Sequence, residues 1–458
     1  MTGPRIRVLG AAFATVPSSR PHASAMSSMI DALRCELDLV TLKTEDLPHI
    51  KRISDARMFR VPVGKATIAE QRAIYARAVS RQIEAEPYQV VHVLDPWAGE
   101  VSAQLKGQRQ FVLIYEVTTF PDGDTDDWIA AHAATLASAD RVLVATEAMR
   151  DALEADEAVA GRVDVVRPGV DVGGYDWGTV GPFAVPRVLY LGAFTEARDI
   201  ETLLDALVAV AEHRPIRALL AGDRSSVRRS ALREAVRARG LDDVVDVRGE
   251  PKPYVIPAIV AASDVCVAPA AGDTVAGCAE LPQPLLEYFA CYRPVVAASV
   301  PGVSELVRDE VEGLLYPPGR ATALADAINE VLRDAELRES LADAAYRRVR
   351  DELNSGARRR RIREIYELVA PGSQIHDPWQ EEFEDYTGVI ELEPGAFDFL
   401  SDDDDPDLHT LAPPAPDTET AETRAPSIRP GEQTRPRVEV PTDTRPGLQV
   451  PDTDPGRS

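Results

Sequence analysis

Over most of its length the chain alternates short apolar runs with longer segments in which apolar residues recur every three or four positions. Runs of four to eight apolar residues read as buried strands and the longer period as amphipathic helix, so the alternation predicts parallel sheets joined by crossover helices. In the first half the predicted strands are IRVLGAAF (6–13), LDLVTL (37–42), VVHVL (90–94), FVLIYEV (111–117), RVLVAT (141–146) and VDVVRPGV (163–170), with helices over 23–36 and 66–86. A Gly-rich stretch at 171–185 reads as a linker. A second set follows: RVLYLG (187–192), RALLAG (217–222), VVDVRG (244–249), VCVAPA (265–270), PVVAAS (294–299) and GLLYP (313–317), with helices over 199–213, 225–240 and 321–353. The expected fold class is α/β, two Rossmann-like doubly wound domains over 1–175 and 186–350. Such a pair faces a ligand cleft near the carboxyl ends of both sheets.

Beyond Pro371 the pattern stops. Residues 371–458 are rich in Pro, Asp, Glu and Thr and hold 21 acidic against 6 basic residues, the composition of a disordered acidic tail. Within it VIELEPGAFDFL (389–400) keeps some apolar residues. It reads either as a short docking motif for a protein partner or as part of a solubilising tail. The formal net charge of −25 over 458 residues sits largely in this tail and argues against non-specific nucleic-acid binding.

Four cysteines, Cys35, Cys266, Cys278 and Cys291, form no CxxC pair and read as free thiols of a reducing cytoplasm. No His or Cys cluster has zinc-ligand spacing. Asp122, Asp124 and Asp126 have calcium-loop spacing but lack the loop's Gly and its final Glu, so a polar loop is expected. No stretch approaches the roughly 18 apolar residues of a membrane span. The N-terminal apolar run is short and contains Gly, and it reads as a first strand rather than a signal peptide. The cluster Arg358, Arg359, Arg360, Arg361 and Arg363 leaves open a peripheral contact with an anionic inner membrane face. A solvated helix face is the other reading.

The richest stretch runs from Glu280 to Leu306: a loop, a short helix, an apolar strand, and a Gly turn into another helix. Pro284 suits a first helical position. Glu287 then lies one turn inside, near free backbone N–H groups and the positive end of the helix dipole, a natural anion site. A carboxylate beside a diphosphate site can grip ribose hydroxyls. The plain alternative is an ordinary αβ unit with a solvent-facing Glu.

This stretch resembles the donor-binding signature of the retaining glycosyltransferases of family 4 (glycosyltransferase group 1), which have the GT-B fold. Their pattern is a Glu, a spacer of seven residues, a second Glu opening a helix, a small-residue turn and a Pro-Val-Val strand. Glu287 matches the second Glu, and Pro284 to Arg320 follows the pattern. Strict spacing puts the first Glu at Ala279. Glu280 stands one residue late, as a one-residue loop deletion would leave it. In YLGAFTEARDI (190–200), Gly192 and Arg198 match a Gly and a phosphate-binding Lys, while Ala193 replaces an Arg. Gly222 matches a strand end beside the cleft, and Arg248 stands where a nucleotide base could be approached. On the acceptor side Asp95 and Trp97 follow a strand end, and Glu116 and Thr118 stand where many relatives place a His. His92 reads as a core residue. RPGVD (167–171) resembles the turn that closes the first domain, and residues 351–370 the helix that crosses back to it.

The resemblance implies transfer of a sugar from a nucleotide diphosphate sugar to a glycan, lipid or small-molecule acceptor, with retention. That co-substrate apart, no cofactor and no metal are implied. Arg198 and the N–H groups around Pro284, Leu285 and Leu286 would stabilise the diphosphate, Glu287 would hold the ribose, and Glu280 would orient the sugar as the catalytic carboxylate. The alternative is a catalytically impaired GT-B subunit that binds or scaffolds through its tail, as Ala193, the displaced Glu280 and the missing His suggest. A nucleotide-sugar epimerase on the same fold is disfavoured, because its His and Glu pattern is not visible. Deletion of residues 371–458 is expected to shift the thermal midpoint by less than about 2 °C, the effect of under ~1 kcal/mol in a domain of this size. A larger fall on differential scanning would mean that the tail packs on the body.

Overall fold

The computed structural model describes residues 6–16, 25–26, 29, 35–43, 47–53, 56–121, 125–175, 183–223 and 225–371. The acidic tail, its apolar segment, Asp122, Asp124 and most of the predicted helix at 23–36 lie outside the described residues. The first sheet has eight strands: β1 (Arg7–Thr15), β2 (Glu36–Leu42), β3 (Ile50–Ile53), β4 (Ala56–Val61), β5 (Val90–Val93), β6 (Val112–Glu116), β7 (Arg141–Val144) and β8 (Val163–Val165). Their order is β3-β4-β2-β1-β5-β6-β7-β8. Every pair is parallel except β3 with β4. Crossover segments include α1 (Ile68–Ala85), α2 (Pro96–Arg109), α3 (Asp126–Ser138) and α4 (Glu147–Glu154). Thr67 opens α1 with a capping box, its hydroxyl taking the Glu70 amide while the Glu70 carboxylate takes the Thr67 amide.

Strands β3 and β4 were not visible as an apolar run, for a reason that lies in their partners. In β4, Arg57 is neutralised by Asp38 of β2 at 2.6 Å, and the buried Arg60 guanidinium donates to the carbonyls of Pro48 and Val16. In β3, IKRI is an exposed antiparallel edge, where charge discourages pairing with other chains.

The second sheet comprises β9 (Arg187–Leu191), β10 (Arg217–Ala221), β11 (Val245–Arg248), β12 (Val265–Ala268), β13 (Val295–Ala298) and β14 (Leu314–Tyr316). Its order is β11-β10-β9-β12-β13-β14, parallel throughout. The chain order reverses beside β9, and ligands bind at the carboxyl ends of strands at such switch points. Its helices are α5 (Ile200–His213), α6 (Ser226–Ala238), α7 (Ile256–Ala261), α8 (Val275–Ala279), α9 (Pro284–Ala290), α10 (Pro301–Ser304), α11 (Ala321–Arg333) and α12 (Ala335–Asp351). Leu203, Leu204, Leu207 and Val210 of α5 and Leu324, Ile328 and Val331 of α11 bury their apolar stripes in one core.

The last helix, α13 (Ser355–Val369), packs Ile362, Ile365 and Tyr366 against β1, β2 and β5 of the first sheet. Arg358 anchors it. This residue is buried and its Nη2 donates to Glu116 Oε1 at 2.6 Å, so the arginine cluster is not a uniformly solvated face. His92 completes the knot, with Nε2 3.3 Å from Glu116 Oε2 and Nδ1 2.8 Å from the Tyr366 hydroxyl. Burial pushes the Glu116 carboxyl up, but the Arg358 charge and His92 outweigh it and hold the group down at about 2. Its contribution to stability is therefore complete above its usual value near 4.5 and is lost as pH falls through about 2. Arg358→Met is expected to cost about 3–5 kcal/mol, because it strands a buried charge. Urea unfolding at pH 7 measures this; a loss below about 1 kcal/mol would show that the pair does not hold the helix.

Candidate functional site

Two adjacent strands of the second sheet, β9 and β10, run into glycine, at Gly192 and Gly222, with φ of 153° and 131°. A Cβ on Gly222 would lie 2.6 Å from the Gly192 carbonyl oxygen, so only glycine lets these two strand ends press backbone to backbone. Above them lies a cavity of about 270 Å³. Gly192, Arg198, Gly222, Pro284 and Glu287 line it from the second domain, and Thr118 and Thr119, just past β6, from the first. A wider trough of about 820 Å³ opens beside it, bordered by Glu196, Asp199, Glu201 and Asp273. That many carboxylates suit an anionic ligand poorly, so size does not identify the site here.

Pro284 occupies the first position of α9, as its missing N–H allows. Glu287 follows on the first turn, 9 % exposed, and its carboxylate accepts no hydrogen bond among the described residues. Burial without a partner pushes the carboxyl up to about 8. The neighbouring amides behave differently from the expectation. Leu285 N donates to Pro282 O at 3.0 Å and Leu286 N to Gln283 O at 3.1 Å, and both side chains sit in the core. The short Leu-Pro-Gln loop folds back as a tight turn, so these amides are already satisfied and face no ligand in this state.

Arg198 ends a single 3₁₀ turn before α5, which Asp199 caps in the left-handed conformation. Its Nη2 donates to Glu280 Oε2 at 2.6 Å, while Nη1 is buried with no hydrogen-bond partner among the described residues. Glu280 Oε1 accepts the Phe120 amide at 2.5 Å. The Glu280 carboxylate thus lies between the domains and is absent from the cavity wall, in contrast to a sugar-orienting position. Two further bonds run along the same seam. Thr146 Oγ1 donates to Ala279 O at 2.7 Å, and Glu305 accepts the first-turn amides of α4, Glu147 at 2.9 Å and Ala148 at 2.8 Å.

On the first-domain side, Asp95 is buried at the start of α2. Oδ1 accepts the Trp97 and Ala98 amides at 2.9 Å; Oδ2 accepts the Phe13 amide at 2.7 Å and the Tyr75 hydroxyl at 3.1 Å. Burial pushes the carboxyl up to about 6 against these four donors. Trp97 is half-buried beneath the Arg72 guanidinium, 3.8 Å from the ring centroid. Glu116 is consumed by Arg358 and His92. Neither carboxylate is therefore open to an incoming molecule. Arg248 pairs with Asp246 at 2.9 Å and does not border the cavity.

Sequence reasoning missed Thr119, Asp223 and Arg228, which also line the cavity. Asp223 accepts from Phe194 N, Ser225 N and Arg228 Nε, fixing the strand-to-helix turn. The Asp directly after Gly222, before a helix capped by Ser225, was the available signal. Among the described residues no group of three or more His, Cys, Asp or Glu is arranged to hold a metal ion.

The family model described as Glycosyl transferases group 1 matches residues 185–334, and that of the Glycosyl transferase 4-like domain matches 19–169. Alpha-D-kanosaminyltransferase of Streptomyces kanamyceticus is 32% identical over 161 residues, 35% of this chain and 40% of that protein. D-inositol 3-phosphate glycosyltransferase of Kribbella flavida is 28% identical over 315 residues, 62% of this chain and 73% of that protein. Sucrose-phosphate synthase of Thermosynechococcus elongatus superposes with a TM-score of 0.69 at 22% identity, over 80% of this chain and 99% of that one, a likeness of fold. The two-domain architecture here is thus the GT-B fold.

Glu287 makes a checkable demand on stability. Its folded-state value near 8 lies above the usual 4.5, so the folded protein holds a proton that the unfolded chain has lost. Stability should therefore fall as pH rises from about 4.5 to about 8. Glu287→Gln should remove this slope and be the more stable protein at pH 8 without ligand. Urea midpoints at pH 5 and pH 8 give the comparison, and parallel profiles for the two proteins would mean that Glu287 is ionised in the free protein.

Proposed function

We propose a reaction for this chain, which belongs to the glycosyl transferases of group 1 and carries their 4-like domain. It moves a sugar from a nucleotide diphosphate sugar to an acceptor, with retention at the anomeric carbon. The observation that carries this reading is the cavity at the two glycine strand ends. Its wall combines a buried carboxyl that makes no side-chain hydrogen bond among the described residues, Glu287, with an arginine, Arg198, whose Nη1 has no partner among them.

Each group fits one part of the donor. Ribose hydroxyls donate, and an ionised Glu287 accepts. The Arg198 guanidinium supplies positive charge where the leaving diphosphate gathers negative charge, and in a water-poor cavity that attraction is strong. Gly192 and Gly222 leave room for the bulky phosphates. The bond from the anomeric carbon to the diphosphate oxygen breaks, and a bond to an acceptor oxygen forms on the same face of the ring. The departing diphosphate takes the acceptor's proton, so atoms and charge balance with no further cofactor.

The acceptor enters from the first domain. Trp97 offers an aromatic face for a sugar or polyol ring, while Asp95 fixes the backbone around it and Glu116 ties β6 to α13. The Kribbella relative's name, which specifies an inositol phosphate, supports a small hydroxylated acceptor, with glycans and lipids as the other classes. A lipid acceptor would bring the chain to a membrane face; no helix among the described residues is long and apolar enough to cross one. A protein partner for the tail is a separate proposal. The relatives bear the names of transferases and a synthase, which lends the non-catalytic subunit no support.

Calorimetric titration with UDP, GDP, ADP and dTDP should find one that binds. Glu287→Ala should weaken it roughly 10- to 100-fold, the range of hydrogen bonds to a charged group at about 1.5–3 kcal/mol. Binding should release protons at pH 7 and not at pH 9, because the ribose favours the ionised form of a carboxyl that is protonated in the free protein. Binding unchanged in Glu287→Ala would remove this residue from the site. Failure of every nucleotide to bind would overturn the reading.

A further inference from the structure

One ion pair ties the cavity wall to both domains at once. Glu280 is 3 % exposed, and its two carboxylate oxygens take donors from opposite sides, Arg198 Nη2 at 2.6 Å and the Phe120 amide at 2.5 Å. We propose that Glu280 is a positioning residue for the donor: it fixes the Arg198 guanidinium for the diphosphate and holds the first-domain segment 117–121 over the same cavity. This rests on the donor-site reading above and assigns Glu280 a task other than contact with the sugar.

Arginine has a planar fork of donors, so fixing one terminal nitrogen fixes the plane and aims the other. Glu280 takes Nη2, Nη1 is buried with no partner among the described residues, and Arg198 borders the cavity, where its charge meets a diphosphate. Glu280 also acts on the opposite wall. Thr118 and Thr119 border the cavity, and the segment that carries them is held at two points. Glu116 pins its start to Arg358 of α13, and Glu280 pins Phe120 at its end. The adjacent Ala279 carbonyl takes the Thr146 hydroxyl, so the Glu280 backbone is itself referred to the first domain. A single carboxylate thereby sets the distance between the phosphate-binding arginine and the first-domain wall. Reactions that need both substrates in line are sensitive to that distance.

The test uses the full chain, the nucleoside diphosphate that the titration above selects, and the corresponding nucleoside, which lacks phosphates. Glu280→Gln should weaken the diphosphate roughly tenfold or more and leave the nucleoside within about twofold. In an Arg198→Gln background the same change should have less than about a twofold effect, since the two residues act as one unit. Hydrogen exchange read by mass spectrometry should show faster exchange over residues 117–121 in Glu280→Gln. Equal weakening of diphosphate and nucleoside would reduce Glu280 to a general structural tie and overturn the proposal. So would full additivity with Arg198→Gln, or unchanged exchange at 117–121. If the wild-type chain binds the nucleoside but no diphosphate, the donor-site reading falls first and this proposal with it. If Glu280→Gln does not fold, Glu280→Asp serves, with loss at the diphosphate alone again the expected result.

Discussion

The buried carboxylate of Glu280 sets the geometry on which the cavity depends. An ionised carboxylate out of water must be surrounded by donors or charge, and here the donors come from two domains that share no sheet. The segments around Phe120, Arg198 and Ala279 are therefore fixed relative to one another by the cost of leaving any of them unpaired. Glu305 repeats the device a short way along the seam, where it closes the free amides at the start of α4. Polar groups with defined partners run along the interface beside Ala197, Ala276 and Ala279, which join the first domain's apolar core.

Four buried carboxylates show how environment assigns roles. Glu116 faces Arg358 and His92 and is held at about 2; Asp95 faces neutral donors and sits near 6; Glu287 has no side-chain partner among the described residues and rises to about 8. Glu280 is bonded to a guanidinium and an amide. Burial pushes Glu116, Asp95 and Glu287 upward, and the partners decide how far each is brought back. Glu116 and Asp95 hold structure together through Arg358 and the α2 amides, although Glu116 Oε2 makes no hydrogen bond among the described residues, while Glu287 borders a cavity. An acid that is costly to bury and has no partner in the fold marks a place where the partner arrives from outside.

The glycine ends of β9 and β10 act on space rather than charge. By pressing Gly192 against Gly222 the sheet keeps its switch point open, and the short 193–199 loop can then carry Arg198 to the wall. The first domain contributes less chemistry and more closure. Its central strands end in Asp95 and Glu116, both engaged by their own fold, and the two threonines after β6 face the second domain across the cavity.

The sequence by itself determined the two-sheet architecture, every strand of the second sheet, and the place of Glu287, Arg198, Gly192 and Gly222. The strands follow from apolar runs of strand length and the place of Glu287 from a proline at a helix start, while Arg198, Gly192 and Gly222 are read from the resemblance to the family's pattern. Strand β4 escaped because its arginines find partners outside the strand, in Asp38 and in the carbonyls of Val16 and Pro48, and β3 because it is an exposed charged edge. The partners of Glu280, Asp95 and Glu116 escaped for the same reason, since Phe120, Phe13 and Arg358 lie 160, 82 and 242 positions away from them. Whether a carboxylate holds the fold or waits for a ligand depends on what tertiary packing brings to its two oxygens, and spacing along the chain does not record that.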